Sequence, residues 1–294
     1  MTMRQPVRAA DRLSVSEVDD VLALAAAAGE IDGVHPLSED VVLRVRGGVP
    51  HRGVHLLSYA GDRLAGYAFV EDSAGELVVH PQFRRAGRGT ALLAAAGAGP
   101  LRFWAHGDDP GAAAFAERNG FTRARVLWQM RRSLLEPLPD VPLPDGVTVR
   151  AFNPDADEQR WLEVNARAFA HHPEQGRWTL EDLRTREAEP WFDPNGFLLA
   201  VDVADTLLGF HWTKVHPAAG DEPAIGEIYV LGVDPDGHRR GLGRALSVAG
   251  LRHLADAGLT VSSLYVDESN PAAVALYRGL GFEVYKTDVN YQRA

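Results

Sequence analysis

A strand, a loop of glycine and arginine, and a helix start occur twice in this chain, in the same order. The first copy runs Glu76-Leu77-Val78-Val79-His80-Pro81-Gln82-Phe83-Arg84-Arg85-Ala86-Gly87-Arg88-Gly89. The second begins at Gly226-Glu227-Ile228-Tyr229-Val230-Leu231-Gly232-Val233-Asp234-Pro235 and continues through Asp236-Gly237-His238-Arg239-Arg240-Gly241-Leu242-Gly243-Arg244. β-Branched and aromatic residues make the opening of each a strand, and the Pro/Gly-rich stretch makes a turn. Setting Pro81 on Pro235 places Gly87 on Gly241 and Gly89 on Gly243 without a gap. A second alignment sets Phe121 on Phe282, which places Pro110 on Pro271 and Asp109 on Asn270. The chain therefore reads as a tandem repeat of about 140 residues. Its 294 residues suit two ordinary domains.

Each loop is built for an anion. The first N–H groups of a helix have no partner within the helix, glycines admit close backbone approach, and arginines add positive charge. A phosphate or pyrophosphate is the natural ligand. A dinucleotide loop needs Gly-x-Gly-x-x-Gly, but Leu246 stands at the third position after Gly241 and Gly243. A Walker loop needs Gly-Lys-Ser/Thr, which this loop lacks.

Composition narrows the ligand further. Net charge is −10, so a general nucleic-acid-binding face is not expected, although a local basic loop can still hold a phosphate. The absence of cysteine removes disulfides, thiolate metal sites and a cysteine nucleophile. His171-His172-Pro173 lacks a third ligand at useful spacing, and no metal is expected. No Gly-x-Ser-x-Gly elbow supports a serine hydrolase. The apolar runs Val21–Ala28 and Ala91–Ala98 are too short to span a bilayer. The N-terminus lacks a signal pattern, so a cytoplasmic, monomeric protein is the expectation.

Val233-Asp234-Pro235 followed by His238-Arg239-Arg240-Gly241-Leu242-Gly243 resembles the acetyl-CoA loop of the GNAT N-acetyltransferases. That family has Gln or Arg where His238 stands, which leaves the backbone cradle unaffected. Asn270-Pro271-Ala272-Ala273-Val274-Ala275-Leu276-Tyr277-Arg278-Gly279-Leu280-Gly281-Phe282 resembles its closing motif. The resemblance implies an α/β (α+β) fold of two tandem GNAT domains, each a central mixed twisted β-sheet flanked by helices. The expected division is an N-terminal domain over 1–136, a Pro-rich linker over 137–146, and a C-terminal catalytic domain over 147–294.

The resemblance also assigns roles. Glu227 is the expected general base and Tyr277 the acid towards the leaving thiolate. Acetyl-CoA contacts are expected at Leu231, Gly232 and Val233, at His238, Arg239, Arg240, Gly241, Leu242, Gly243 and Arg244, and at Asn270, Pro271, Ala272, Ala273, Val274 and Ala275. Leu231–Val233 are expected to polarise the thioester carbonyl, as the family's bulged strand does. Ser73 replaces Glu227 by the loop alignment and Ala116 replaces Tyr277 by the Phe121/Phe282 alignment, so the first copy is expected to hold acetyl-CoA without catalysing transfer, at Leu77, Val78 and Val79.

The ordered set His171-His172-Pro173-Glu174-Gln175-Gly176, His211-Trp212-Thr213-Lys214, Gly226–Val233 and Leu264-Tyr265-Val266-Asp267 narrows the resemblance to one tandem branch, over nearly the whole chain. That branch acetylates the cysteinyl amine of cysteinyl-glucosaminyl-inositol, the last step of mycothiol biosynthesis in actinobacteria. It implies substrate contacts at Glu39, Glu174, Lys214, Glu227 and Tyr265. Two alternatives stay open at this level. One is a tandem GNAT enzyme for another small amine, such as an aminoglycoside or a peptide N-terminus. The other is a non-enzymatic acyl-CoA-binding regulator.

Overall fold

The computed structural model describes residues 6–48, 50–171, 175–220, 222–237 and 241–294. They form two compact units. One comprises Met1–Trp128, Asp267–Ser269 and Lys286–Ala294, and the other Gln129–Val266 and Asn270–Tyr285. The final strand thus supplies its last residues to the first unit, while residues 129–146 belong with the second.

In the first unit, β1 (Arg8–Ala10) leads into α1 (Val15–Asp32) and α2 (Glu39–Val45). Then come β2 (Val54–Ala60), β3 (Arg63–Glu71), β4 (Ala74–Val79), α3 (Arg88–Ala96), β5 (Leu101–Ala105) and α4 (Pro110–Arg118). β1 to β4 pair antiparallel in sequence order, and β4 pairs parallel with β5. β6 (Thr122–Ser133) runs across the division between the units.

Ser14 starts α1 through a reciprocal capping box with Glu17. Gly29 does not end this helix, as its residue type suggested. It lies in the last turn, and its carbonyl accepts from Gly33 N at 2.9 Å. Gly33 is the left-handed terminator, with φ 69°. α1 buries Val21, Leu24, Ala25 and Ala28 against Leu57, Tyr67, Phe69 and Val78 of the sheet.

The second unit continues with β7 (Thr148–Ala151), α5 (Glu158–Ala168), α6 (Leu180–Glu187), β8 (Phe197–Val201), β9 (Leu207–His216) and β10 (Ile225–Val233). α7 (Leu242–Asp256), β11 (Val261–Asp267), α8 (Pro271–Arg278) and β12 (Glu283–Arg293) complete the chain. β7 to β10 pair antiparallel in order, and β10 pairs parallel with β11. Its core is aromatic. Phe197 lies flat between Phe152 and Trp212, with ring centroids 4.2 Å and 4.3 Å away, and Trp161 meets Phe197, Phe210 and Trp212 edge-on. Rings of this size fix the sheet face on which the polar groups described below are carried.

Within the first unit, β5 pairs antiparallel with the end of β12, from Leu101↔Arg293 to Ala105↔Val289. Val289 and Tyr291 enter the same apolar cluster as Leu93, Phe103 and Phe121. The last residues of the chain are therefore core residues of the unit that began it.

Candidate active site

The helix that follows each glycine loop starts on a left-handed glycine. Gly87 precedes α3 with φ 75°, and Gly241 precedes α7 with φ 86°. Neither helix has a side-chain cap, so first-turn N–H groups stay available to an anion at either place. Before the second loop, Asp234 fixes the turn. It accepts from Arg167 Nη2 at 2.6 Å and from Asp236 N at 3.0 Å, and the Arg167 bond holds its carboxyl below the usual range.

The strand register shows where an extended ligand can enter. β10 and β11 pair from Ile225↔Val261 to Ile228↔Leu264, where their ladder ends. β10 runs on to Val233 beside β9, and β11 runs on to Asp267. The two parallel strands separate, and the peptide groups of Leu231, Gly232 and Val233 flank the opening. Gly232 sits tight against its neighbours, since a Cβ would meet Phe210 Cζ at 2.6 Å. The expected bulge is present, but it lies between Ile228 and Val230, ahead of Leu231–Val233.

That bulge corrects the comparison of the two copies. β3 and β4 pair from Gly66↔Val79 to Glu71↔Ala74 without a shift, whereas β9 and β10 absorb one extra residue at Tyr229. Glu227 lies opposite Ser263, and the same place on β5, Arg102, lies opposite Ala74. The partner of Glu227 in the first copy is therefore Ala74, not Ser73. The conclusion about charge is unchanged, since neither is acidic. Tyr277 and Ala116 do correspond: Phe282 N donates to the Tyr277 carbonyl and Phe121 N to the Ala116 carbonyl.

Glu227 is buried, and so is Lys214, directly across the ladder on β9. The Lys214 ammonium lies 4.4 Å from the Trp191 ring centre and 5.2 Å from that of Tyr229. Arg186 donates to the Tyr229 hydroxyl at 3.0 Å and stacks on Trp178 at 3.9 Å. Tyr265, two residues beyond Ser263, is about half exposed on β11. Lys214, Glu227 and the aromatic wall thus share one sheet face. Tyr277 is buried on α8 against Phe282, and that burial raises its phenol pKa, keeping it protonated at neutral pH. Asn270 caps α8 by accepting from Ala273 N at 3.1 Å, and Pro271 to Ala275 form the following turns. Arg244 donates to the Gly279 carbonyl at 3.2 Å, so it ties α7 to the end of α8. Leu242 is fully buried behind the loop.

Sequence reasoning missed several members of this face. His216 touches Glu227, and Tyr229, with Arg186 bonded to its hydroxyl, lies beside Lys214. For His216 the signal was available: Lys214 and His216 are two apart on a strand, and that spacing puts both on one face.

The first unit holds a cavity of about 820 Å³. It is bounded by Leu77, Val78 and Val79 on β4, by Gly87 to Thr90, by Trp104 to Gly107 and by α4. Here the β4–β5 ladder ends at Glu76↔Trp104, so the cavity lies along the same kind of strand opening. Its size and length suit a nucleotide with a pantetheine arm. Beside the opening, Glu76 accepts from Ser38 N at 2.7 Å, and His106 Nδ1 donates to Asp288 at 3.0 Å. Glu39 is half-buried in the first turn of α2, next to Ser38. Glu174, His238, Arg239 and Arg240, like His172 and Pro173, lie outside the described residues.

Both halves match GNAT models: residues 159–282 match the acetyltransferase (GNAT) family and residues 51–123 an acetyltransferase (GNAT) domain. Among solved structures, a GCN5-related N-acetyltransferase from Sphaerobacter thermophilus is 26% identical, with TM-score 0.66 over 98% of this chain and 95% of its own. A tandem GNAT protein from the clavulanic acid biosynthesis pathway, 23% identical, shares the fold at TM-score 0.72 over 97% and 98%. The mycothiol acetyltransferase of Salinispora arenicola is 57% identical, covering 97% of this chain and 95% of its own. That of Thermobispora bispora is 56% identical, covering 98% and 99%. The chain belongs to the mycothiol acetyltransferases, within the GNAT family of acetyltransferases.

Proposed function

We propose that the chain transfers the acetyl group of acetyl-CoA to the cysteinyl amine of cysteinyl-glucosaminyl-inositol, and that the second unit does the chemistry. The observation that carries this reading is the buried Glu227 carboxylate at the point where β10 and β11 part, with Lys214 across the ladder. When bound, acetyl-CoA supplies an activated thioester carbonyl. The residues of this chain hold it and move protons around it. The Gly241–Arg244 helix start receives the pyrophosphate, and backbone groups of Leu231–Val233 polarise the carbonyl. Glu227 takes the proton of the attacking amine, directly or through one water. The new N–C bond forms as the C–S bond breaks, and Tyr277 protonates the departing thiolate.

The polar face suits a polyol-bearing amine. Carboxylates and ammonium groups hydrogen-bond hydroxyls, and Trp191 and Tyr229 offer flat apolar surface to a ring. Lys214, Tyr265, Glu39 and Glu174 are the proposed contacts to this substrate. We assign the first unit to holding acetyl-CoA along Leu77–Val79 without transfer, because Ala74 and Ala116 leave it without the acid-base pair.

The test is acetyl transfer to a panel of amines, with the acetylated product read by mass spectrometry so that the substrate thiol does not interfere. The cysteinyl pseudodisaccharide should exceed aminoglycosides and peptide N-termini in kcat/KM by about 10²-fold or more, as expected when buried polar groups are left unpaired by the wrong substrate. A higher kcat/KM for an aminoglycoside or a peptide would overturn the substrate assignment.

A further inference from the structure

His216 stands at the end of β9, two residues beyond Lys214 on the same face. Its ring Nε2 lies 2.5 Å from Glu227 Oε2. The two side chains differ in access to water: that of Glu227 is 8% exposed and that of His216 is 43% exposed. A carboxylate oxygen only accepts, so a proton must lie between the two atoms at this separation. His216 is therefore protonated on Nε2, as the neutral tautomer or as imidazolium, and donates to Glu227 in both forms.

We propose that His216 is a positioning residue for the Glu227 base: its Nε2–H fixes Oε2 and leaves Oε1 for the substrate amine. This rests on the reading of Glu227 as the general base. A buried carboxylate with one oxygen tied has its plane fixed, which a base acting on a bound amine requires. Other polar groups around Glu227 are unchanged when His216 is replaced. They are Lys214 across the β9 ladder, Tyr229 on β10 with Arg186 of α6 bonded to it, and Ser263 and Tyr265 on β11. A change seen on substitution therefore reports the His216 contact.

The experiment uses the full chain with acetyl-CoA and cysteinyl-glucosaminyl-inositol, in wild type, His216→Phe, His216→Gln and Glu227→Gln. In His216→Phe the carboxylate loses its donor and its fixed orientation, so kcat at pH 7 should fall by about tenfold. KM for acetyl-CoA should change less than about twofold, because binding of the CoA arm is made elsewhere. His216→Gln, whose amide can donate from a similar place, should restore most of the rate.

A second readout does not depend on turnover. In ¹⁵N-histidine-labelled protein, the His216 Nε2 proton should resonate downfield and move upfield in Glu227→Gln. The inference is overturned if kcat of His216→Phe matches that of wild type while Glu227→Gln is strongly impaired. In that case Glu227 remains the base and His216 is only a neighbour. If Glu227→Gln itself keeps near-normal turnover, the base assignment fails, and the role of His216 fails with it.

Discussion

Replacing His106 with Gln should remove a pH-dependent share of the first unit's stability. His106 sits between two buried carboxylates, with Asp288 Oδ2 at 3.0 Å from Nδ1 and Glu76 Oε1 at 3.5 Å from Nε2. Burial alone would lower its pKa, but the two carboxylates outweigh it and hold the imidazole at about 10. The folded value lies above the unfolded one. The stabilisation is thus fully present below about pH 6.5 and is lost as pH rises towards 10. At about 1.4 kcal/mol per pH unit the ceiling is about 5 kcal/mol. This is close to the ~3–5 kcal/mol expected when one partner of a buried ion pair is removed. Between pH 7 and pH 9 the wild-type contribution should fall by roughly 2–3 kcal/mol. The chain has no cysteine, so Leu57→Cys, in the core of the first unit, gives a single buried thiol that reacts when that unit opens. Urea unfolding followed by labelling of this thiol, with and without His106→Gln, isolates the term as a difference. The His106→Gln chain should be less stable at pH 7 and should converge with its parent by pH 10. Parallel stability curves from pH 7 to 10 would refute the argument.

Other outcomes follow from the second unit and from the shared strand. Glu227→Gln should lower kcat by about 10²–10⁴-fold with acetyl-CoA affinity little changed, and should recover as pH rises and the amine deprotonates unaided; steady-state rates over pH 6 to 10 check this. Tyr277→Phe should lose less and should not recover with pH, because its burial-raised pKa keeps the phenol protonated across neutral pH; the same rate series reads it. Gly241→Val forces a β-branched residue to φ 86°, at about 1–3 kcal/mol of strain, and should weaken acetyl-CoA binding at the second site in calorimetry. A chain ending at Glu136 lacks Val289 and Tyr291 of the first unit's core and should melt without a cooperative transition by circular dichroism.

Much of this was legible in sequence because the two copies check each other. The Pro81/Pro235 and Phe121/Phe282 alignments located both glycine loops and both closing helices, and Gly87 and Gly241 each take the left-handed turn that opens the next helix. Gapless alignment failed where the backbone itself has an insertion. The bulge at Tyr229 adds a residue to β10 without disturbing its glycine loop, so residues before it slip by one and Ser73 was set against Glu227 in place of Ala74. A side chain that crosses to another strand is equally invisible along the chain. Asp288 reaches His106 from 182 residues away, and no periodicity could have paired them.

The failures and successes together bear on how one scaffold came to hold two different sites. In both units a parallel pair of strands parts beside a glycine-started helix, which is enough to receive an acyl-CoA. At the parting point the first unit carries Glu76, neutralised by His106 and bonded to the backbone of Ser38, and so committed to structure. The second carries Glu227, opposite Lys214 and tied at one oxygen to a half-exposed histidine. Glu76 has a buried cation and a helix cap to satisfy, so taking a substrate proton would sacrifice native stability. Glu227, in its proposed role, is tied at one oxygen to a ring that water reaches. On that reading, the difference between a carboxylate that holds a fold and one that does chemistry lies in its partners and their access to solvent, not in its residue type.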